Sequence, residues 1–429
     1  MRFSKYVPVA IVFCLGLFAS PARAQTAEDL TQDWFYAQTE TARAAALAGL
    51  EAAAAGDNTA HFGRASIAFF DTVEGLMQDL HRYGYDFPRS GFVSELQFAI
   101  PENPSPETLT YEGFRDLLER FVSGMERSRV LLGEVDGTVP VAIGIDFGEA
   151  RMNVVGGETI ASRATLAGIF AQMQPRRPRP RNQDGKPAPT PPPPVFRFDN
   201  ADAIWLEGYA NLVLAQAEFL LAHDFRRAFD NSFQLFFPRA GLPMQKELPP
   251  PASASDMRAG RASSAGWVAD LISFVHLSDW PVIDRDRRAG YLDRMHEVAR
   301  LSRANWAAIK AETDNDHEWL PGPHQPGIHP LSGIEVTDKV VDGWMRTLDL
   351  LDAVLDGDRL VPHWRFPARG IDIRAFFESG EDFDPVLLVT GPGALPFLKT
   401  GDVIDAGEWR EIRTLVGRRS FFMTAAWFN

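Results

Sequence analysis

The amino-acid sequence predicts a mainly α fold, in which several helices pack as antiparallel hairpins, a bundle or a helical toroid, with a few short β segments and a small mixed C-terminal part. Apolar residues recur at intervals of three and four over most long stretches of the chain, which is the spacing of one helix face. Segment 337–355 is typical, because Val341, Trp344, Leu348 and Leu355 fall on one stripe. Stretches of β-branched residues are short and few, so packed helices are favoured over a large sheet.

The N-terminal region, residues 25–174, begins with two predicted helices. Thr26 can cap a single long helix that continues through alanine-rich sequence to about residue 55, where Gly56 ends it. Asn58 can cap the second helix, and Gly84 ends it. The two helices are therefore expected to form an antiparallel pair joined by a tight turn.

Three further elements are expected before the middle of the chain. A third helix at about 111–132 has apolar residues on one face. Segment 139–158 combines β-branched residues with glycines, which predicts a short local β-hairpin. Another short helix is expected at about 159–172.

A proline-rich basic loop and two more regions complete the predicted organisation. Residues 175–194 contain nine prolines, so this segment is expected to be a polyproline-like loop exposed to solvent. The central helical body, residues 195–362, follows, and the small mixed region, residues 363–429, is expected to pack on it. Helices of the body are expected at about 200–223, 266–277, 284–312 and 337–355.

The beginning of the chain, residues 1–24, has the organisation of a signal peptide. Arg2 and Lys5 precede an apolar run that is too short to cross a bilayer, and a small–x–small pattern ends at Ala24. Cleavage is therefore expected between Ala24 and Gln25. The mature protein is predicted to be periplasmic or secreted.

Charge and cysteine content restrict the functions that the chain can have. It carries 57 acidic and 43 basic residues, a net charge of −14, and so acidic a surface repels nucleic acid. The one cysteine, Cys14, lies in the signal peptide, so the mature chain has no disulfide and needs a hydrophobic core. No later segment is apolar enough to predict a transmembrane span in the mature chain.

Segment 317–330, HEWLPGPHQPGIHP, concentrates histidine and proline between two predicted helices. Its four prolines restrict the backbone, which favours a rigid connector that Trp319 and Leu320 anchor to the core. The alternative is a ligand-binding loop beside a second tryptophan-bearing segment. The candidate ligand-binding residues are His317, Glu318, Trp319, His324, His329 and Trp364.

The same loop raises the question of a metal site. Zinc prefers imidazole nitrogens, and His317, His324 and His329 are spaced seven and five residues apart. No His-Glu-x-x-His pattern occurs in the chain, so the spacing does not require a metal. A divalent metal at these three histidines stays an alternative, and no other cofactor is expected.

Polar residues also interrupt the most apolar predicted helix, at 200–223. Glu207, Asn211 and Glu218 lie near one face, at spacings of four and seven. Buried carboxylates are unstable unless they are paired. A structural polar network is therefore favoured over a catalytic site for these three residues.

Two functions are compatible with the sequence. The first is an exported helical envelope protein with a binding or interaction role, whose partner is another envelope protein or a small ligand bound in a groove between helices. The alternative is a secreted hydrolase, either polysaccharide-directed or metal-assisted, with a cleft of histidine, tryptophan and carboxylate residues within 276–364. Two carboxyl groups about 5–10 Å apart in an aromatic cleft would favour the hydrolase.

Overall fold

The computed structural model describes residues 25–86, 100–162, 164–173, 194–247, 264–313, 317–325, 335–415 and 428–429. The predicted signal peptide, residues 175–193 of the proline-rich loop, and His329 lie outside the described residues. Within these ranges, none of the helices is long and apolar enough to cross a bilayer.

Helices dominate the described residues, which confirms the predicted mainly α fold with short β segments. The strands in the described residues are only two to four residues long and form two small antiparallel sheets. The helices are α1 (Ala27–Tyr36), α2 (Glu40–Ala53), α3 (Asn58–Arg82), α4 (Tyr111–Leu132), α5 (Leu166–Met173), α6 (Asn200–Leu221), α7 (Arg226–Ser232), α8 (Ser264–His276), α9 (Arg285–Ala311), α10 (Asp338–Leu355), α11 (Ile373–Glu378), α12 (Pro385–Thr390) and α13 (Ala406–Leu415).

The sequence predicted a single long first helix. This prediction is wrong, because non-helical residues separate α1 from α2. Ala37 is extended, and the Thr39 side chain accepts a hydrogen bond from the backbone N–H of Ala42 and caps α2. Hydrogen bonds to a distant segment stabilise this interruption. Glu40 N–H donates to the Glu158 carbonyl, and Ile160 N–H donates to the Gln38 carbonyl. A tertiary contact therefore overrides the helix propensity of the alanine-rich sequence.

The predicted local hairpin in 139–158 is also wrong. Strand β1 (Ile143–Asp146) pairs antiparallel with the distant strand β2 (Val195–Phe198). The residues after β1 instead bond to the first helices, since Arg151 N–H donates to the Phe35 carbonyl. The strand itself was predicted, but its partner lies beyond the range over which turn signals are informative.

Helices α6 and α9 form the centre of the molecule and pack antiparallel. The beginning of α6 lies beside the end of α9, where Asp199 and Glu312 approach each other. The end of α6 lies beside the beginning of α9, where Gln216 donates to the Tyr291 hydroxyl at 3.2 Å. Helix α4 packs on α6, α3 on α4, and α10 on α9, so the largest hydrophobic core lies among these helices.

The C-terminal region contains a small sheet and a core of its own. Strands β3 (Val361–Pro362), β4 (Gly370–Ile371) and β5 (Leu398–Lys399) form an antiparallel sheet in this order. The buried guanidinium of Arg288, on α9, donates to the backbone carbonyls of Phe376 and Glu381. This arginine therefore holds the C-terminal region against the central helices.

Candidate functional site

The described part of the histidine-bearing loop, residues 317–325, is fixed to the central helices. Trp319 and Leu320 are buried, as the anchoring interpretation requires. His317 has a left-handed backbone (φ 62°), and its carbonyl accepts a hydrogen bond from Arg197 N–H at 3.1 Å. Gln325 donates to Glu312 at 2.9 Å, so the loop also contacts the end of α9.

Trp319 lies in a cage of aromatic rings. The nearest ring centroids are those of Phe196 at 5.0 Å and Trp205 at 5.6 Å, both edge-on to the indole. Phe147, Phe198 and Phe170 complete the cage at 5.8 to 6.2 Å. Edge-to-face contacts at these distances stabilise aromatic clusters, and the cage orients the neighbouring residue, Glu318.

Four carboxyl groups, the carboxylate cluster, converge where α6 begins and α9 ends. Oxygen atoms of Asp199, Glu312 and Glu318 all lie within 4.8 Å of one another, and each residue is half-buried. Asp199 is the N-cap of α6 and accepts hydrogen bonds from the backbone of Ala201 and Asp202. Asp202 completes the cluster, since one of its carboxylate oxygens accepts a hydrogen bond from Asp199 N–H at 2.9 Å.

The environment of Asp202 favours its protonated form. Burial raises the pKa of this carboxyl well above its usual range, and the nearby charges of Asp199, Glu318 and Glu312 raise it further. The hydrogen bond from Asp199 N–H acts in the opposite direction and lowers the pKa. Because burial and like charge dominate, the cluster can bind a proton or a cation more readily than isolated carboxylates can.

All-oxygen ligand sets are those that calcium, magnesium and manganese prefer. The residues that could hold such an ion are Asp199, Glu312 and Glu318, with Asp202 behind them. A buried carboxyl group with a raised pKa, such as that of Asp202, is also suited to acid–base chemistry. The cluster therefore has two chemical uses, cation binding and proton transfer.

Only some of the predicted ligand-binding residues lie at the carboxylate cluster. Glu318 and Trp319 lie in the cluster and in the cage. His317 and His324 are exposed, and His324 lies 3.8 Å from Asp338. Neither belongs to a group of three potential ligands among the described residues. Trp364 has no hydrogen bond or ring contact with 317–325; it donates to the Val389 carbonyl in the C-terminal region.

Two of the three predicted polar residues of α6, Asn211 and Glu218, meet an arginine from α9. Arg294 donates to Asn211 at 3.3 Å and forms ion pairs with Glu218 at 3.2 Å and with Glu126, on α4, at 3.1 Å. Burial raises the pKa of Glu207, and the charge of Glu297 raises it further. Arg294 therefore links three helices through charged groups at their interface.

A charged groove of about 730 Å³ lies on the surface between α9 and α10. His296 faces two carboxylates there: its Nδ1 atom lies 3.0 Å from Asp352 and its Nε2 atom 3.4 Å from Asp356. The groove lies within 276–364, where the sequence predicted a cleft, but the residues that line it include no tryptophan. They are Asp293, His296, Glu297, Arg300, Arg303, Asp352 and Asp356.

A further candidate site, the tryptophan cleft, encloses Phe428 and Asn429. Three helices line it: α6, α9 and α10. The Phe428 ring stacks on Trp306 with centroids 5.4 Å apart and contacts Trp344 at 5.9 Å. Phe428 and Asn429 are both almost fully buried there. The cleft residues are Trp205, Gly208, Ser302, Asn305, Trp306 and Trp344.

Hydrogen bonds in the tryptophan cleft converge on one peptide carbonyl. The Phe428 carbonyl accepts from Trp306 Nε1 and from Ser302 Oγ, each at 3.0 Å. Ser302 Oγ in turn accepts from Trp344 Nε1 at 2.9 Å. All three side chains are buried, so the cleft binds an aromatic side chain together with the carbonyl of the same residue.

Sequence reasoning did not find Asp199, Asp202 or Glu312, nor the tryptophan cleft. Asp199 and Asp202 precede the most apolar helix as a capping box, a pattern that signals a helix start rather than a site. Ser302 and Trp306 lie four apart on the inner face of α9, which is equally typical of a helix core. Their partners are distant in sequence, so only the fold brings them together.

Comparisons with known proteins found no relative of this chain. None of the protein families compared matches it, and neither does any curated protein or solved structure.

Proposed function

We propose that this protein is an exported binding protein of the bacterial envelope, and that the tryptophan cleft is its binding groove. The observation that carries the proposal is the way in which Phe428 is held, by ring stacking and by two donors to its carbonyl. The partner is a protein segment that presents an aromatic residue in an accessible stretch of chain. In the free protein, Phe428 and Asn429 occupy the groove in its place.

The chemistry of the groove supports recognition of an aromatic residue. Stacking on the Trp306 indole and a tilted contact with the Trp344 indole add to the burial of the ring. Two donors on one carbonyl fix the backbone of the bound residue, since a buried carbonyl without a partner costs about 1–3 kcal/mol. Ser302 connects the two indoles by accepting from Trp344 and donating to the bound carbonyl.

The second residue in the groove is bound less well than the first, which supports exchange with a partner. Asn429 donates to the Trp205 carbonyl at 3.4 Å and accepts from Asn305 at 3.5 Å, the long end of hydrogen-bond distances. The side-chain oxygens of Asn305 and Asn429 are buried and have no donor among the described residues. A partner segment that supplies donors here would bind more tightly than the chain's own residues.

Export is supported by the signal-peptide pattern of residues 1–24. It predicts that protein recovered from the periplasm of an expressing Gram-negative host begins at Gln25. Intact-mass spectrometry of that fraction tests this, and a periplasmic protein that retains Met1 would contradict cleavage at the proposed bond.

The groove is tested with a synthetic peptide of sequence TAAWFN, residues 424–429, and a chain that lacks residues 428–429. The peptide is expected to bind the shortened chain with micromolar affinity in calorimetry and to raise its melting temperature. A peptide with alanine in place of the Phe428 equivalent should bind at least about 30-fold more weakly, which is the cost of removing an aromatic anchor.

A matched pair of serine variants tests whether the peptide binds in the groove. Ser302→Ala should weaken peptide binding, whereas Ser128→Ala should not, although Ser128 is equally buried and also donates to a carbonyl at 3.0 Å. If the shortened chain does not fold, Phe428→Ala in the full chain provides the vacated groove instead. A folded variant that leaves the peptide unbound at millimolar concentration would overturn the proposal.

The alternative function, a secreted hydrolase, is favoured by the carboxylate cluster. Asp202, whose pKa is raised by burial, lies among other carboxyl groups beside an aromatic cage, which is an arrangement suited to acid–base or metal-assisted hydrolysis. Calorimetric titration of the mature chain with Ca²⁺, Mg²⁺, Mn²⁺ and Zn²⁺ tests the metal-assisted form. A melting temperature that none of these ions changes would contradict it, and loss of binding in Glu318→Gln would assign the ion to the cluster.

A further inference from the structure

The C-terminal region exposes an apolar patch, formed by Trp364, Val386, Leu387, Val389 and Leu395. The stretch 385–398, PVLLVTGPGALPFL, contains no charged residue. The exposed fractions of Trp364, Val389 and Leu395 are 71%, 64% and 57%. A cluster of exposed large apolar side chains is typical of an interaction site.

The tryptophan of this patch is held in a fixed orientation. Its Nε1 atom donates to the Val389 carbonyl at 2.9 Å, and the Arg365 guanidinium lies 5.0 Å from the centre of its ring. An exposed tryptophan that is already ordered loses little conformational entropy on binding. Tryptophan and arginine are also the residues most enriched at the energetic centre of protein interfaces.

The two ends of α12 carry opposite charges. Asp382 and Asp384 lie at its beginning, where Asp384 caps the helix by accepting from Leu387 N–H at 2.9 Å. Arg365 lies at its end, packed against Gly391. Among the residues that the structure describes, Arg365 forms no ion pair, and Asp382 interacts with the buried Arg288 guanidinium only at longer range. The patch is therefore apolar in the middle, acidic at one end and basic at the other.

We infer that the apolar patch binds a second copy of this chain, with the two α12 helices antiparallel about a two-fold axis. In this arrangement, Arg365 of each copy meets the acidic end of α12 in the other. Six helical residues span about 9 Å, so both charge pairs fit at the edges of one interface. A two-fold interface requires a self-complementary surface, and a surface with opposite charges at its two ends satisfies this requirement.

The same charge distribution argues against an anionic lipid surface as the partner. Such a surface would attract Arg365 but repel Asp382 and Asp384, together with the chain as a whole at a net charge of −14. A second copy carries the same net charge, but it also offers its own Arg365 to Asp382 and Asp384, which an anionic lipid surface does not. The interface is independent of the tryptophan cleft, so neither proposal depends on the other.

Sedimentation velocity of the mature chain, residues 25–429, at 1–100 µM tests the inference. A species of twice the monomer mass is expected. Trp364→Ala should weaken dimerisation at least about 30-fold, as for a central interface residue. The matched control is Trp409→Ala, because Trp409 is also exposed, on α13, and its removal should leave the dimer unchanged.

Charge reversal tests the antiparallel geometry. Arg365→Glu and Asp382→Arg should each weaken the dimer, whereas the double variant should restore it, because each single change places like charges together. Thermal unfolding of each variant establishes that it is folded. A chain that stays monomeric at 100 µM would overturn the inference, as would a dimer that Trp364→Ala leaves unchanged. Co-sedimentation of monomers with phosphatidylglycerol vesicles would also overturn the inference, because it would show that the patch binds a lipid surface instead of a second copy.

Discussion

Replacing Phe428 with alanine removes the aromatic ring that three helices enclose. The ring is 2% exposed and contacts Trp306 and Trp344, so the change leaves a cavity rather than a solvated surface. Removal of a buried phenylalanine ring typically costs about 3–5 kcal/mol. An unfolding entropy of about 2.1 cal/mol/K per residue, over roughly 400 residues, converts this loss to a decrease in melting temperature of about 4–6 °C.

Differential scanning calorimetry of the wild-type and variant chains measures this decrease. Trp409→Ala is the control, because this exposed side chain should change the free energy of unfolding by no more than about 0.5 kcal/mol. Ser302→Ala should give a smaller loss than Phe428→Ala, about 1–3 kcal/mol, since it deprives Trp344 Nε1 of its acceptor and the Phe428 carbonyl of one donor. A decrease below 1 °C for Phe428→Ala would show that the ring is not packed in the cleft.

Three further predictions concern buried groups. Asp202→Asn should stabilise the fold at pH 7 by on the order of 1 kcal/mol and keep the hydrogen bond from Asp199 N–H. The pKa of Asp202 is raised on folding, so its carboxylate destabilises the wild type at neutral pH. The gain should therefore disappear as the pH falls toward 4, in urea titrations at several pH values. Glu74→Ala should cost about 3–5 kcal/mol, because it removes the buried carboxylate 2.6 Å from the Arg43 guanidinium and leaves only the exposed Glu40 at 3.4 Å. Replacing both Arg43 and Glu74 with methionine should be nearly neutral by the same titration. Gly208→Ala should cost about 1–3 kcal/mol in calorimetry, since a Cβ there would lie 2.8 Å from the Asn429 side chain.

Helix positions were predictable where local signals and packing agree. The helix expected at about 111–132 is α4, with Thr110 as its cap, and the helix expected from residue 200 is α6. The second helix ends at Gly84 as predicted, although Asp57, not Asn58, caps it. The Asn58 side chain instead donates to the carbonyls of Asp136 and Val139, a contact between distant segments that no local pattern contains.

The candidate sites were much less predictable than the helices. Glu318 and Trp319 were among the predicted site residues because they lie in the histidine- and proline-rich segment 317–330. Asp199 and Asp202 precede Glu312 by more than 100 residues, so their convergence depends on the pairing of α6 with α9. The partners of Phe428 on α9 and α10 have the spacing of ordinary core residues, so the sequence does not set them apart. The prediction therefore fails where a site consists of contacts between distant helices.

The antiparallel pairing of α6 and α9 also explains why the carboxyl groups gather at one end of the pair. Asp199 caps α6 and Asp202 lies in its first turn, where the helix dipole and free backbone N–H groups stabilise negative charge. Glu312 follows the last turn of α9, where the dipole has the opposite sign and destabilises a carboxylate. The dipole of α6 thus stabilises the two acidic residues at its beginning, whereas the dipole of α9 opposes the charge of Glu312. Any proton or cation that the cluster binds would reduce the repulsion among these carboxyl groups, so occupancy of the cluster should stabilise the α6–α9 pair that also forms the walls of the tryptophan cleft.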